Sequence, residues 1–419
     1  MSEKYLIINA GSSSLKFSLY KLPKKSEIVN GYIERIGKKD SFYTLKENGV
    51  KTKKEKLIMD HNEAVVIMLK ELLNNKYIED INEIKGIGHR ILHGGEFYNK
   101  SVIIDENVLN NIKSLIKFGP LHLPGEIAGI ESMKNVMQNV PQVATFDTAF
   151  HQTMPIENYL YALPYNWYEE NGVRKYGFHG ISHKYITETM KKYFGKNNIN
   201  LIICHIGSGV SMCCVKEGKS YNTTMGLTPL DGNIMGTRCG NIDSSILNHI
   251  SKDKHLSIDE ITSILNNKSG LLGICGKNDF RDVENLAKKG DEKAILAIKM
   301  LRNSISKYIA QYYVELNGKV DAIVFTAGIG ENSISLREEI VNSISSALNI
   351  ELDKKANSSI ASFKEKQSGI ISTPESKTPV FVVPTNEEIM ILNDTYELIN
   401  KENIKTLKLN NKRIEDYCG

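Results

Sequence analysis

A hydrophobic strand that runs into a turn of small residues and straight out into a second strand occurs twice in this chain. The first copy is Leu6-Ile7-Ile8-Asn9-Ala10-Gly11-Ser12-Ser13-Ser14-Leu15-Lys16-Phe17-Ser18-Leu19-Tyr20. The second is Leu201-Ile202-Ile203-Cys204-His205-Ile206-Gly207-Ser208-Gly209-Val210-Ser211-Met212-Cys213-Cys214-Val215. A turn of this kind leaves several backbone N–H groups exposed on one side, so it can wrap a phosphate without steric conflict. Two copies about 195 residues apart suggest a duplicated domain with a phosphate held between the copies. Two β-hairpins with ordinary glycine turns are the alternative reading.

At 419 residues the chain is too long for one ordinary core, and two or three domains are expected. Around the first hairpin, residues 62–74 predict a helix capped by Asn62. Residues 83–90 and 140–147 predict strands, ending at His89-Arg90 and at Asp147. Polar residues at strand ends sit at a sheet rim, where α/β proteins bind ligands. Beyond the second hairpin, residues 291–317 predict an amphipathic helix stopped by Gly318. A strand over 320–325 then leads into Thr326-Ala327-Gly328-Ile329-Gly330-Glu331-Asn332, read as a turn. A last strand, 380–383, precedes a helix from about 386 to 401. Strands alternating with helices predict an α/β protein with mixed sheets. No low-complexity linker separates the halves, so close packing with a hinge is expected.

Apolar content of 41% and charged content of 24% are those of a soluble globular protein. The net charge of +4 argues against a nucleic-acid binder but allows a local cationic cleft. The lysine-rich stretches 21–25 and 51–56 read as solvated loops and turn edges. Met1-Ser2-Glu3-Lys4 runs directly into a strand, so no secretory leader is expected. Apolar runs such as 201–204 are far too short for a membrane span. The six cysteines (204, 213, 214, 239, 275, 418) form no C-x-x-C pair and no metal-ligand spacing with histidine. Free thiols in a reducing cytoplasm follow.

Several further segments fall into one pattern. They include Asn9–Lys16, Gly88-His89-Arg90-Ile91-Leu92-His93-Gly94-Gly95, Pro120-Leu121-His122 and Phe146-Asp147-Thr148-Ala149-Phe150-His151. Then come Tyr176-Gly177-Phe178-His179-Gly180, Met225-Gly226-Leu227-Thr228-Pro229-Leu230, Met235-Gly236-Thr237-Arg238 and Lys268-Ser269-Gly270-Leu271-Leu272-Gly273. Thr326–Asn332 and Pro384-Thr385-Asn386-Glu387-Glu388 complete the series. In these segments and their order the chain resembles the acetate kinases, members of the sugar kinase/Hsp70/actin superfamily. The resemblance implies two duplicated ribonuclease H-like α/β domains with mixed sheets around an interdomain cleft. One comprises residues 1–149 with 387–419, including a returning C-terminal helix. The other, 150–386, carries nucleotide binding and dimerisation. The implied reaction is reversible, in-line transfer of the ATP γ-phosphoryl to acetate, giving acetyl phosphate and ADP. It uses Mg²⁺, with Mn²⁺ as an acceptable substitute, in a cytoplasmic homodimer.

The chemistry defines what such a site needs. A carboxylate nucleophile is already ionised near neutral pH, so no strong base is required. The obstacle is electrostatic, and cations positioned around the transferring oxygens remove it. The expected site therefore holds two arginines, a histidine donor and Mg²⁺, with few free negative charges. Guanidinium forks suit carboxylate and phosphoryl oxygens, and the resemblance assigns Arg90 and Arg238 to them. It makes His179 a hydrogen-bond donor to the phosphoryl, assisted by His122. Asp147 orients an arginine or a metal-bound water, and Asn9 and Glu387 associate with Mg²⁺. Glu387 also reads as a helix-start carboxylate favoured by the dipole. Leu92, Leu121, Phe178 and Pro229 wall the substrate pocket. The implied nucleotide set is Lys16, His205, Gly207, Ser208, Gly209, Asp279, Phe280, Arg281, Gly328, Ile329, Gly330 and Asn332. His89, His93, His151, His183 and His205 read as structural, and their spacing fits no zinc site.

Some positions depart from the family pattern. Ser208 and Leu123 stand where Asn is usual, Asn222 and Asn241 where Asp is, and Cys239 and Cys275 where Ser is. Asn241 is expected to loosen the Arg238 turn slightly, and Cys239, next to Arg238, to be a low-pKa thiol. Two rival functions stand beside the main reading. One is a kinase of propionate or another short-chain acid. The other is an ATP-driven conformational switch, which would not require Arg90, His179 and Arg238 together.

Overall fold

The computed structural model describes residues 3–47, 49–360 and 368–401. It divides into two compact units. One runs to Ala149 and takes in the chain from Asn386 onward; the other is Phe150–Thr385.

The first unit is built on the first hairpin, β1 (Lys4–Gly11) and β2 (Ser14–Lys21), closed where Gly11 faces Ser14. β3 (Ser26–Glu34), β4 (Phe42–Glu47) and β5 (Val50–Glu55) extend it antiparallel. On the other side β6 (Ile84–Ile91) pairs parallel with β1, and β8 (Gln142–Phe146) parallel with β6. Two-residue β7 (Val102–Ile103) closes that edge antiparallel. In the second unit β9 (Leu201–Ile206) and β10 (Val210–Lys216) form the hairpin, with β11 (Lys219–Thr223) antiparallel outside. β12 (Ala322–Thr326) lies parallel to β9, β14 (Val380–Val382) parallel to β12, and β13 (Gly369–Ile370) antiparallel at the edge. Thus β3-β2-β1-β6-β8-β7 and β11-β10-β9-β12-β14-β13 are one topology written twice.

Side-chain alternation fixes what each face meets. On β1, Leu6, Ile8 and Ala10 enter a core with Phe17, Val65, Met68 and Leu72. The opposite face of β6 carries Gly86 and Gly88. A Cβ at Gly86 would lie 2.2 Å from Ile399 Cδ1, and one at Gly88 2.5 Å from Thr395 Oγ1 and 2.7 Å from Ile391 Cγ2. The two glycines therefore let the returning helix, residues 387–401, lie directly on the strand. In the second unit Ile203, Val215, Val324 and Phe381 share a core with Ile186 and Met190.

Four local expectations are corrected. Asp60, not Asn62, caps the helix His61–Asn74, its side chain accepting the Glu63 N–H. Residues 51–55 are not loop: they belong to β5, exposed along its whole length, where lysines blunt an open sheet edge. The long helix, Glu292–Glu315, ends before Gly318, because Asn317 already turns left-handed. Ala327–Asn332 is a short helix following β12 rather than a turn.

Candidate active site

Arg90 continues the Gly86, Gly88 face of β6, two residues further on. The helix side chains over that face, Ile399, Thr395 and Ile391, step back by four residues, and the next step is Glu387 at the helix start. Parallel register pairs Ile8 with His89, so Asn9 follows on the strand beside Arg90. Asp147, just beyond β8, is anchored by its N–H to the Ile91 carbonyl at 2.9 Å, and Arg90 Nη2 donates to its Oδ2 at 2.5 Å. Burial works against a charged guanidinium, yet Asp147, Glu387 and Glu126 together raise the Arg90 pKa.

Glu126 is a member of this cluster that sequence reading missed. It is 2% exposed, and its Oε2 accepts the Leu92 N–H at 2.9 Å. Burial pushes its carboxyl up to about 7, against the pull of Arg90. Glu387 is likewise raised to about 7, by loss of solvent and then by Asp147. Acids in a first helical turn are common for dipole reasons alone, so the sequence held no signal that Glu126 points inward. The cause is tertiary. Helix Leu123–Val136 sits so close to the β1–β2 turn that a Cβ at Gly125 would lie 2.3 Å from the Gly11 carbonyl carbon.

Asp147 Oδ1 is buried with no hydrogen-bond partner. Among the described residues no three His, Cys, Asp or Glu side chains gather as a metal cage. An orphaned carboxylate oxygen near Asn9 and Glu387 suits a hard cation that keeps most of its water. Leu92 is buried against Gly119, where a Cβ would lie 3.1 Å from its Cδ2. Leu121 is 72% exposed. His122 stands exposed at the N-cap of helix Leu123–Val136. Lys16, opposite Asn9 on β2, is exposed.

In the second unit His179 caps helix Gly180–Phe194 in the left-handed conformation, φ +55°. A Cβ at Gly209 would lie 3.3 Å from His179 Nε2 and 3.5 Å from Arg238 Nη1, so this imidazole and guanidinium meet at the second glycine turn. Arg238 Nη1 donates to the Pro229 carbonyl at 3.2 Å; burial lowers the guanidinium pKa, and no carboxylate offsets this. Its loop is held by the backbone: Met235 N–H to Arg238 O, Ser269 N–H to Thr237 O and Leu272 N–H to Gly236 O. Phe178 is buried, and Pro229 half-buried.

A hydrogen-bond chain orients the His179 ring. Ser211 Oγ lies 2.9 Å from His179 Nδ1 and 2.8 Å from His183 Nε2. Burial, with His151 and His205 nearby, depresses the His183 pKa well below its ordinary value, so the ring is neutral; its buried Nδ1 has no partner. An unpartnered lone pair costs less than an unpartnered N–H. The proton therefore sits on His183 Nε2, which donates to Ser211. Ser211 thereby links the two rings and holds His179 with its Nε2 edge beside Arg238. His205, held by Ser182 Oγ at 2.8 Å and neutral because burial lowers it to about 4, stacks on His179 at 4.1 Å.

A cavity of about 500 Å³ adjoins this corner. Of the nucleotide set, Gly207, Ser208, Asp279, Phe280, Arg281, Gly328, Ile329 and Asn332 line it. Lys16, His205, Gly209 and Gly330 do not line it. Asn278, Glu284 and Ser333 do, and sequence reading passed over them. Asp279 caps helix Phe280–Lys288 and binds the Arg281 guanidinium at 2.6 Å.

Some departures have partners in three dimensions. Asn241 is held near the Arg238 region: its Oδ1 accepts the Gly232 N–H at 2.6 Å and its amide donates to Tyr308 Oη at 2.8 Å. Cys239 is not a low-pKa thiol. Burial raises it, its Sγ donates to the Gly240 carbonyl, and Arg238 does not act on it. Asn222 donates to Glu315 at 3.0 Å, where an aspartate would oppose a carboxylate. The other described cysteines are free thiols, and Cys418 lies outside the described residues.

Paired sheets of one topology, each led by a small-residue hairpin turn, with buried guanidinium and imidazole donors, define a phosphotransferase scaffold of the sugar kinase/actin type. The family model described as the acetokinase family matches residues 4–393, and the chain belongs to that family. It is 46% identical to the acetate kinase of Clostridium novyi (strain NT), over 96% of this chain and 100% of that one. With the acetate kinase of Carboxydothermus hydrogenoformans it shares 46% identity, over 94% and 99%. The crystal structure of Porphyromonas gingivalis acetate kinase superposes with a TM-score of 0.90 at 38% identity, covering 95% of this chain and 100% of that one. A propionate kinase from Francisella tularensis gives 0.88 at 41%, covering 94% and 100%. No helix among the described residues is long and apolar enough to cross a membrane.

Proposed function

We propose that this chain is an ATP:acetate phosphotransferase, moving the γ-phosphoryl of ATP reversibly to acetate and releasing acetyl phosphate and ADP. The observation that carries the reading is the pairing of Arg238, a half-buried guanidinium without a carboxylate, with the Nε2 edge of His179 at the Gly207–Gly209 turn. Such donors match a phosphoryl group whose charge spreads over its equatorial oxygens in the transition state. Arg90, oriented by Asp147, receives the acetate carboxylate, and Leu92 limits the acyl chain. The cavity lined by Phe280, Gly328 and Ile329 takes the nucleotide base and ribose. Asn9 and Glu387 hold the hydrated Mg²⁺, which neutralises phosphate charge when bound. Acetate arrives ionised, so no residue needs to take its proton. The reaction belongs in the cytoplasm, where ATP and reduced thiols coexist, and the working form is a homodimer.

A propionate kinase is the second reading, favoured by the 41% identity to such an enzyme. One assay decides: acetate, propionate and butyrate, each with Mg-ATP, trapping the acyl phosphate as hydroxamate. Acetate should give the highest kcat/KM. ATP hydrolysis with no acyl phosphate would instead mark a conformational switch and overturn the reading.

A further inference from the structure

Arg90 is asked to receive an anion, yet the charges of three carboxylates already act on it: Asp147, Glu387 and Glu126. Fully ionised, that group carries two excess negative charges and repels acetate. Glu126 differs from the other two in place and partners. It comes from helix Leu123–Val136, is nearly inaccessible to solvent, and is tied to the backbone of the strand exit through Leu92 N–H. That exit carries Arg90 at one end and Leu92, the acyl wall, at the other. Gly125 pins the helix start against Gly11 and Ser12, so Glu126 has no room to withdraw. The charges of Arg90 on β6 and of Asp147 beyond β8 act on it, and Glu387 acts on the same guanidinium. From helix His61–Asn74, His61 Nε2 bonds the Gly11 carbonyl at 2.8 Å.

We propose that Glu126 is a positioning residue that tunes Arg90 for its substrate: neutral, it leaves the guanidinium's charge to the incoming carboxylate while still holding the Leu92 amide; ionised, it competes for that charge. Acetate binding and proton uptake at Glu126 are then coupled, and each favours the other. This rests on the acetate-kinase reading, and no covalent step is added. Because Glu126 titrates near pH 7, the coupling falls in the physiological range.

The test compares wild type with Glu126→Gln, which keeps an oxygen for Leu92 N–H but has no proton to lose. With saturating Mg-ATP, the wild-type KM for acetate should rise about tenfold between pH 6 and pH 8, as expected for one required proton with a pKa near 7. In Glu126→Gln the rise should fall below about twofold, with the KM for ATP following the same profile in both proteins. Parallel acetate profiles would overturn the proposal. Carbon-13 titration of the glutamate carboxyls supplies a readout independent of turnover. One resonance near pH 7 should vanish in Glu126→Gln, and 100 mM acetate should shift its wild-type midpoint upward. If wild type phosphorylates no acetate but shows this shift, the functional reading fails and the role of Glu126 stands. If the midpoint does not move with acetate, the role fails whether or not the enzyme is active.

Discussion

Removing Arg238 tests the chemistry with little disturbance to the fold. Among the described residues its side chain donates to the Pro229 carbonyl at 3.2 Å and, more weakly, to Met235 Sδ at 3.5 Å. The loop around it is fixed by backbone bonds that do not involve the guanidinium. Arg238→Ala therefore strands no buried charge, and should lower stability by about 1 kcal/mol, the cost of one lost hydrogen bond. Its effect on turnover should be far larger. A preorganised donor aimed at developing phosphoryl charge contributes about 3 kcal/mol, so kcat should fall at least about 10²-fold. Arg238→Lys should recover less than about tenfold of this, because a point charge cannot span two oxygens as a planar fork does. Acyl hydroxamate formation measures the rate, and urea unfolding followed by circular dichroism measures the fold. A folded Arg238→Ala protein with kcat within about fivefold of wild type would refute the reasoning.

Arg90 should behave differently: Arg90→Ala leaves Asp147 buried and unpaired, so it should lose about 3–5 kcal/mol of stability as well as activity, seen as an earlier urea midpoint. Glu126 predicts a pH effect on folding. Its folded pKa of about 7 lies above the usual glutamate value, so its contribution is complete below about pH 4.5 and lost as pH rises through 7. The difference of about 2.5 pKa units makes this about 3 kcal/mol, and Glu126→Gln should remove that much of the wild-type loss between pH 4.5 and 8 in urea titrations. Leu92→Ala should raise the propionate-to-acetate ratio of kcat/KM by about 10-fold or more, one methylene being worth ~1–3 kcal/mol; an unchanged ratio would remove Leu92 from the acyl wall.

Much of this molecule was legible along the chain because its signals are local. Period-two strands, small-residue turns at Gly11 and Gly207, and polar strand ends at Arg90 and Asp147 need only neighbouring residues to be recognised. The duplicated hairpins announced one topology used twice, and the paired sheets carry it strand for strand. What depended on through-space contact was hidden. Glu126 reads as an ordinary first-turn acid until Gly125 brings its helix onto the Gly11 turn. Cys239 follows Arg238 in sequence, but burial, with the Asp231 charge adding to it, raises its pKa. The orientation of the His179 ring depends on Ser211 and His183, 32 and four residues away in the chain. Sequence order determines which groups are available and which face of a strand they share. Desolvation and charge, which decide protonation, depend on what distant segments cover, and only the tertiary structure determines that.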